Sequence, residues 1–579
     1  MVAKQKGSEP MWVYPTIDPA WHRQIVSELR VHPVVAQILV SRGFKSFEEI
    51  QRSLYSKLPN LLDPFSLLDM EKAVERIVTA LEKHETILIY GDNDVDGMTG
   101  TALLTEFLRE LGGDIRFHVP NRNEIVGQTL LSEALTRAQE HRASLLITVD
   151  CGITAAKEVK DMVDAGIDVI VTDHHEPTAK IPLCIATLNP KVIGSTYANR
   201  DITGVGVAFK LAHALTTHLI KAGRITKKAV DLQSYLDLVA LGTIADMGAI
   251  KDENRILISY GLRRLRRTPR VGLKKLAEVS NVSVRDIRAS EVASKLAPKL
   301  NSLGRIAEPR DGVALLLVKD TDTAEQMAHE LDLNNIERQK IEQVVAEEVE
   351  NRLETHPEIL KDKAIVMASE KWHPGVIAIV TTRISKRFNR PTCMIAIENG
   401  VGKGSMRTIP EFPLLGVLKE NADLLLNFGG HDYAAGLTIA EENIPEFKKR
   451  FIAAANGRLQ DHDIVSKLLI DARVDFEELT FDLMESLNLL EPHGNENPAP
   501  ILYCDVEQVR PPRIVGGNHL KFYLIQHDRH LEGIAFGMAD RRPQLTGKKV
   551  KLRLAFTPQI NTFQNKHSIQ LLIRDFKVL

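Results

Sequence analysis

The stretch at 168–175, Asp-Val-Ile-Val-Thr-Asp-His-His, constrains this chain more than any other. Three β-branched apolar residues, Val169 to Val171, run directly into an acid and two adjacent imidazoles. Such a run predicts a strand buried on both faces of a parallel sheet. Open α/β sheets hold their ligands just beyond the carboxyl ends of such strands. Asp173, His174 and His175 are therefore predicted at the edge of a crevice. The pattern recurs. Thr86 to Tyr90 runs into Gly91-Asp-Asn-Asp-Val-Asp-Gly97, and Ser144 to Val149 runs into Asp150-Cys-Gly152. Helical patterns over 102–111 and 155–165 fill the gaps, and this alternation predicts a doubly wound parallel sheet in an α/β protein. A fourth segment, Tyr235 to Asp246, is apolar at helical spacing and also ends in an acid.

At 579 residues the chain exceeds a single core, and several domains are expected. A helical lead-in is predicted over 1–54, followed by the α/β domain over 55–318. A charged helix with Ile341, Val344, Val345 and Val349 on one stripe is expected as a connector over 319–357. A second α/β unit is expected over 358–460. From 461 to 579, short alternating strands punctuated by Gly and Pro predict a small β-barrel. The four cysteines are far apart, which excludes a CxxC zinc site and argues against a disulfide framework. The N-terminus lacks a secretory pattern and no apolar run is long enough to span a bilayer. A reduced, cytoplasmic protein is the expectation.

The net charge of −2 conceals an asymmetry: from Arg510 onward there are 13 basic against 4 acidic residues. A tail of that sign is the electrostatic mark of a polyanion partner. Elsewhere, Asp92, Asp94, Asp96, Asp150, Asp173 and Asp246 lie at strand or helix ends. One such acid is readily a helix cap; the set is not explained that way. Carboxylates crowded together repel unless a proton or a cation intervenes. Oxygen ligands with imidazole favour Mn²⁺ or Mg²⁺, with His inclining the choice to Mn²⁺. Asp94 and Asp96 can both face inward if the extended chain turns there, and Gly97 would permit the turn. Two ions sharing Asp150 would form an arrangement suited to hydrolysis at phosphorus.

In that order, GDNDVDG, VDCG, TDHH and GTIADMG resemble the successive motifs of the DHH phosphoesterase superfamily. Leu296 to Arg305, Trp372-His-Pro-Gly-Val376, Gly404-Ser-Met-Arg407 and Phe428-Gly-Gly-His431 narrow the resemblance to its RecJ family, single-strand-specific 5′→3′ exonucleases with a DHH-associated domain and an OB-fold. The resemblance spans almost the whole chain. It implies that Asp94 and Asp150 hold one metal, and Asp96, Asp150, His174 and Asp246 the other. It implies that His175 contacts the scissile phosphate and that Asp92 and Asp173 orient ligands. Arg122, Arg305, Ser405, Arg407 and His431 would hold the 5′-terminal phosphate, a task suited to the guanidinium fork. The chain departs from the family at Tyr90, often His and an extra ligand, at Asn93, often aromatic, and at Ile125-Val126, which replace a Gly-Tyr pair.

The resemblance further implies single-stranded DNA as substrate, a single-strand-binding protein and a helicase as partners, and a monomer. The basic run Gly261 to Arg267, continued by Arg270, Lys274 and Lys275, is either a strand-binding face or a solvated one. In the C-terminal unit Phe522, Tyr523, Phe536 and Phe563 are candidate stacking platforms, of which one or two are expected to be exposed. Two rival readings stay open: a DHH hydrolase of small nucleotides, and a non-catalytic DNA-binding scaffold on a decayed core.

Overall fold

The computed structural model describes residues 9–121, 130–306, 308–547, 549–563 and 566–579. They form two compact units. One is built mainly from 62–248 and 260–466, the other from 12–61, 249–259 and 467–579. Among the described residues no helix is long and apolar enough to cross a membrane.

The first unit contains a five-stranded, all-parallel sheet. Its spatial order is Asp114–His118, Thr86–Gly91, Leu145–Val149, Asp168–Thr172, Ala186–Leu188. One row of side chains crosses it, Phe117, Ile89, Ile147, Ile170 and Ala186. The three central strands are buried throughout, save for the first residues Thr86 and Asp168, as the apolar runs require. In chain order the strands read second, first, third, fourth, fifth. The connections therefore reverse between Thr86–Gly91 and Leu145–Val149, the point at which such sheets open a ligand crevice. Asp92 and Asp150 follow those two strands directly.

The helix after the first strand spans Val95–Glu110, beginning well before the expected 102. Asp94 caps it, accepting from the amides of Asp96 at 2.9 Å and Gly97 at 3.1 Å. The predicted turn of an extended segment is thus a helix start, which sets Asp94 and Asp96 on one wall. Gly97 is needed for space rather than for its turn: a Cβ there would lie 2.4 Å from the carbonyl oxygen of Asp92.

A single helix, Thr321–Thr355, links this sheet domain to the next. Val345, Ala346, Val349 and Leu353 pack with Ile365, Trp372 and Val376 in one core, with Ile341 at its margin. Val344 does not join that stripe and is exposed. Residues 341, 345, 349 and 353 form an i, i+4 row, and 344 lies about 100° around the helix from it. The second sheet is mixed: Leu425–Gly430, Ala434–Ala440, Val401–Arg407, Thr392–Glu398 and Ile365–Ser369. Only its last pair is parallel.

The second unit is built on a seven-stranded sheet, of which five strands, Leu502–Gln508, Lys551–Phe563, Lys566–Val578, Arg529–Ala535 and His519–Gln526, form a barrel. It is closed where Glu507 and Gln508 pair with Ile525 and Leu524. The helices Pro19–Leu29, Pro33–Ser41 and Phe47–Tyr55, read from sequence as a unit of their own, share its core: Ile25, Val35, Ile38 and Ile50 pack with Phe476, Leu483, Phe522 and Phe556. Phe522 is therefore core. Tyr523 is half-buried with the Arg510 guanidinium 3.6 Å from its ring centroid, and Phe536 is exposed at 55%. The side chain of Phe563 lies outside the described residues.

Candidate metal and phosphate site

Three strands of the parallel sheet deliver their acids by the same device. The amide of Asp92 bonds the carbonyl of Val149, that of Asp150 bonds Thr172, and that of Asp173 bonds Leu188. One extra rung of parallel pairing therefore carries the ladder past each strand end and lines the acids along the crevice. Asp150 holds its place with a left-handed backbone, φ 62°, a conformation tolerated by Asp and Asn more than by other non-glycine residues.

The geometry brings residues from four places together. His174 Nε2 lies 3.1 Å from Asp150 Oδ1, 3.7 Å from Asp246 Oδ2 and 3.9 Å from Asp96 Oδ2. Oxygens of Asp92, Asp94 and Asp150 lie within 4.8 Å of one another, and so do donor atoms of Asp96, His174 and Asp246. Asp92, which the resemblance casts as an orienting residue, thus stands among the candidate ligand oxygens. Asp246 is the residue that closes the helix Leu236–Ala245.

Helix termini and glycines set this wall. Asp96 accepts from the amides of Gly204 at 2.7 Å and Val205 at 2.9 Å, at the start of the helix Gly204–Lys221. That positive helix end favours a carboxylate. A Cβ on Gly204 would fall 2.5 Å from Asp150 Oδ1, and one on Gly242 2.9 Å from Asp96 Oδ1. Asn301 Oδ1 accepts from the amide of Val95 at 3.1 Å. A Cβ on Gly304 would meet the carbonyl of Asn93 at 2.3 Å, so the Leu296–Arg305 motif braces the acidic loop.

The electrostatics are those of crowded, buried carboxylates. Burial, then Asp246 and Asp94, raise Asp96 well above the carboxylate range; burial, then Asp96 and Asp94, do the same to Asp150. Burial and Asp94 lift Asp246 to about 7. Burial, and then the charge of His175, push His174 down to about 3. Asp150 Oδ1 and His174 Nε2 are both buried, and neither makes a hydrogen bond. A carboxylate oxygen and an imidazole lone pair so placed are satisfied together by a divalent cation, and the oxygen-rich donor set fits Mn²⁺ or Mg²⁺.

His175 is different. Burial works against its charge, but Asp173 outweighs that and raises it to about 9. Asp173 Oδ1 accepts from His175 Nδ1 at 2.7 Å and from the amides of His174 and His175 at 2.7 and 3.0 Å. Its Oδ2 accepts from Ile153 N at 2.9 Å. The second domain reaches this point too: His431 stacks parallel to His175, ring centroids 6.3 Å apart. Ser405 and Arg407 lie on the strand that pairs with Ala434–Ala440, Arg407 opposite Ala434, and the amide of His431 bonds Ala434 O. Arg407 Nη1 donates to Met406 O at 2.7 Å.

Other sequence candidates fall elsewhere. Tyr90 is fully buried and donates its hydroxyl to Leu130 O at 2.7 Å, so it is turned into the core rather than toward the acids. His373 caps the helix Pro374–Phe388 through Gly375 N at 3.0 Å, and Trp372 bonds Glu348 at 3.0 Å. In the basic run, Arg270 pairs with Glu106 at 2.6 Å and Asp237 at 3.2 Å, and Lys275 with Glu325 at 2.8 Å, leaving Arg263, Arg267 and Lys274 exposed. Arg122, Ile125, Val126 and the side chain of Arg305 lie outside the described residues. Sequence reading missed Gly204, Gly242 and Asn189. For Gly204 the only local signal was the pair of glycines in Thr203-Gly-Val-Gly206, small residues where a helix starts against close neighbours.

Comparison with known proteins agrees with this architecture. The DHH family N-terminal domain matches residues 86–243, the DHHA1 domain 361–457 and the RecJ OB domain 470–575. The single-stranded-DNA-specific exonuclease RecJ of Bacillus subtilis (strain 168) is 35% identical over 99% of this chain and 71% of its own length. The protein of the same name from Escherichia coli (strain K12) is 34% identical over 93% of this chain and 95% of its own. The crystal structure of RecJ from Thermus thermophilus in complex with Mn²⁺ superposes with a TM-score of 0.81 at 30% identity, covering 98% of this chain and 79% of that one. A second from the same organism, in complex with Mg²⁺, gives 0.75 at 28% identity, covering 98% of this chain and 78% of that one. With three domains of one kind in one order and these near-full-length matches, the chain belongs to the RecJ family.

Proposed function

We propose that this chain is a metal-dependent, single-stranded-DNA-specific 5′→3′ exonuclease. It hydrolyses phosphodiester bonds, releases 5′-mononucleotides and works in the cytoplasm in DNA recombination and repair. The observation that carries this reading is the meeting of Asp94, Asp96, Asp150, His174 and Asp246 around two buried atoms without hydrogen bonds. Family relatives named as single-stranded-DNA-specific exonucleases, one solved with Mn²⁺, support it.

Asp94 and Asp150, joined by Asp92, would hold one divalent cation. Asp96, His174 and Asp246 would hold a second, with Asp150 between them. When bound, Mn²⁺ or Mg²⁺ polarises phosphoryl oxygens and makes water acidic enough to attack phosphorus near neutral pH. The protein's own part begins with proton control. Asp173 engages His175 Nδ1 and keeps the ring protonated, so that Nε2 donates to the scissile phosphate or to its leaving oxygen. His174 stays neutral, as a ligand must. Ser405, Arg407 and His431, with Arg122 and Arg305, would receive the 5′-terminal phosphate, fixing the cut one nucleotide from the end. The barrel would track the strand, with Tyr523 and Phe536 as its accessible aromatics. The chain would act as a monomer alongside single-strand-binding protein and a helicase.

Incubating purified protein with Mn²⁺ or Mg²⁺ and a 5′-labelled single-stranded oligonucleotide tests this. Labelled mononucleotide should appear first, and blunt duplex should be spared. Absence of mononucleotide at every metal concentration, or release of label only as a long fragment, would overturn the reading.

A further inference from the structure

One cation beside the acids belongs to none of the motifs above. After the edge strand Ala186–Leu188 the chain turns through Asn189-Pro190-Lys191. Asn189 ties this turn to the histidines: its Nδ2 donates to His175 O at 2.9 Å and its Oδ1 accepts from Lys191 N at 2.8 Å. The Lys191 side chain is only 16% exposed, and its Nζ meets Glu176 Oε1 at 3.1 Å. Glu176 directly follows His175 and is itself 58% exposed. Lys191 is thus paired with the residue that follows His175 and tied through Asn189 to the backbone of His175. Its field reaches His174, His431 and Asp246, lowering the proton affinity of each.

A half-sequestered ammonium whose counter-ion keeps most of its water is poised to exchange that counter-ion for another anion. A pair with one partner mostly in water contributes little, whereas a phosphate brought into the crevice has lost more of its water and gains more from a point charge. We propose that Lys191 binds a non-bridging oxygen of the strand's phosphate at or next to the scissile bond, and that Glu176 is the partner it leaves when the strand enters. This assignment rests on the exonuclease reading and adds a substrate-binding residue to it.

Steady-state cleavage of a 5′-phosphorylated single strand by the full chain tests it in Lys191→Met, Lys191→Arg and Glu176→Gln, over a range of salt. Lys191→Met should raise KM about tenfold, the size of one charge-assisted hydrogen bond, with kcat changed little. The slope of log(1/KM) against log salt should shrink by about 0.7, the count for one lost phosphate contact on a single strand. Lys191→Arg should restore the slope, and Glu176→Gln should lower KM roughly two- to fivefold. An unchanged KM and slope in Lys191→Met overturns the proposal. So does a fall in kcat and melting temperature without a change of slope, which would mark Lys191 as structural. Failure of the exonuclease reading would show instead as absent turnover by the unmodified protein.

Discussion

Replacing Asp150 by Asn separates what this residue does for function from what it does to the fold. Asn is chosen over Ala because position 150 has φ 62°, where Asn is tolerated and a Cβ-only residue is strained. Asp150 is 1% exposed and faces Asp96, Asp94, Asp92 and Asp246. Two unit charges about 4 Å apart repel by roughly 4 kcal/mol at an effective dielectric of 20. Protonation already relieves part of that in the metal-free protein, so about 1–3 kcal/mol is left for the substitution to recover. At about 2–4 °C per kcal/mol for a domain of this size, the metal-free variant should melt roughly 2–12 °C above the parent. Added Mn²⁺ should reverse the order. Parent protein at one hundred times its dissociation constant gains about 2.7 kcal/mol, a gain the variant largely forgoes. The assay is differential scanning fluorimetry with EDTA and with Mn²⁺, alongside strand binding and turnover; binding should persist and turnover vanish. A metal-free variant that melts below the parent, or one stabilised by Mn²⁺ as much as the parent, would refute the reasoning.

Gly204→Ala should act through Asp150, because its methyl would fall 2.5 Å from the carboxylate; metal titrations should show weakened affinity and turnover should drop more than about tenfold. Asp246, raised to about 7 from an ordinary 3.8, stabilises the metal-free fold while protonated. That contribution should be lost as pH rises from about 4 through 7, so the melting temperature in EDTA should fall across that window and Mn²⁺ affinity should rise across it. Asp173→Asn should bring His175 from about 9 toward its usual 6.5, moving the alkaline limb of the kcat–pH profile down by about two units. Arg270→Met, far from the acids, leaves Asp237 buried without its charge partner; denaturant unfolding should show a loss of about 3–5 kcal/mol, while folded molecules keep their specific activity.

How much of this was legible in the chain differs from residue to residue. The runs 87–89, 145–149 and 169–171, rich in Ile, Leu and Val, marked the strands, because burial on both faces of a parallel sheet admits little else. Each acid at a strand end was visible in the same way, since the sheet's geometry sends strand termini to the crevice. Val344 was misplaced because one residue of phase separates a core row from a solvent row. Arg270 was misread as a surface cation because its two carboxylate partners, Asp237 and Glu106, lie far back along the chain, and no local pattern reports them.

What the sequence alone determined is the set of elements, the identity of the acids and imidazoles, and the family whose motifs they match. Their periodicity and order are local properties of the chain. What only the tertiary structure decided is which of them meet. The crossing of strand order beside Asp92 and Asp150, the helix start that fixes Asp96, the closeness of Gly204 to Asp150, and the placing of Lys191 beside His175 are all contacts between distant segments. Such contacts are set by packing density and shared hydrogen bonds across the core, which no single stretch of residues contains.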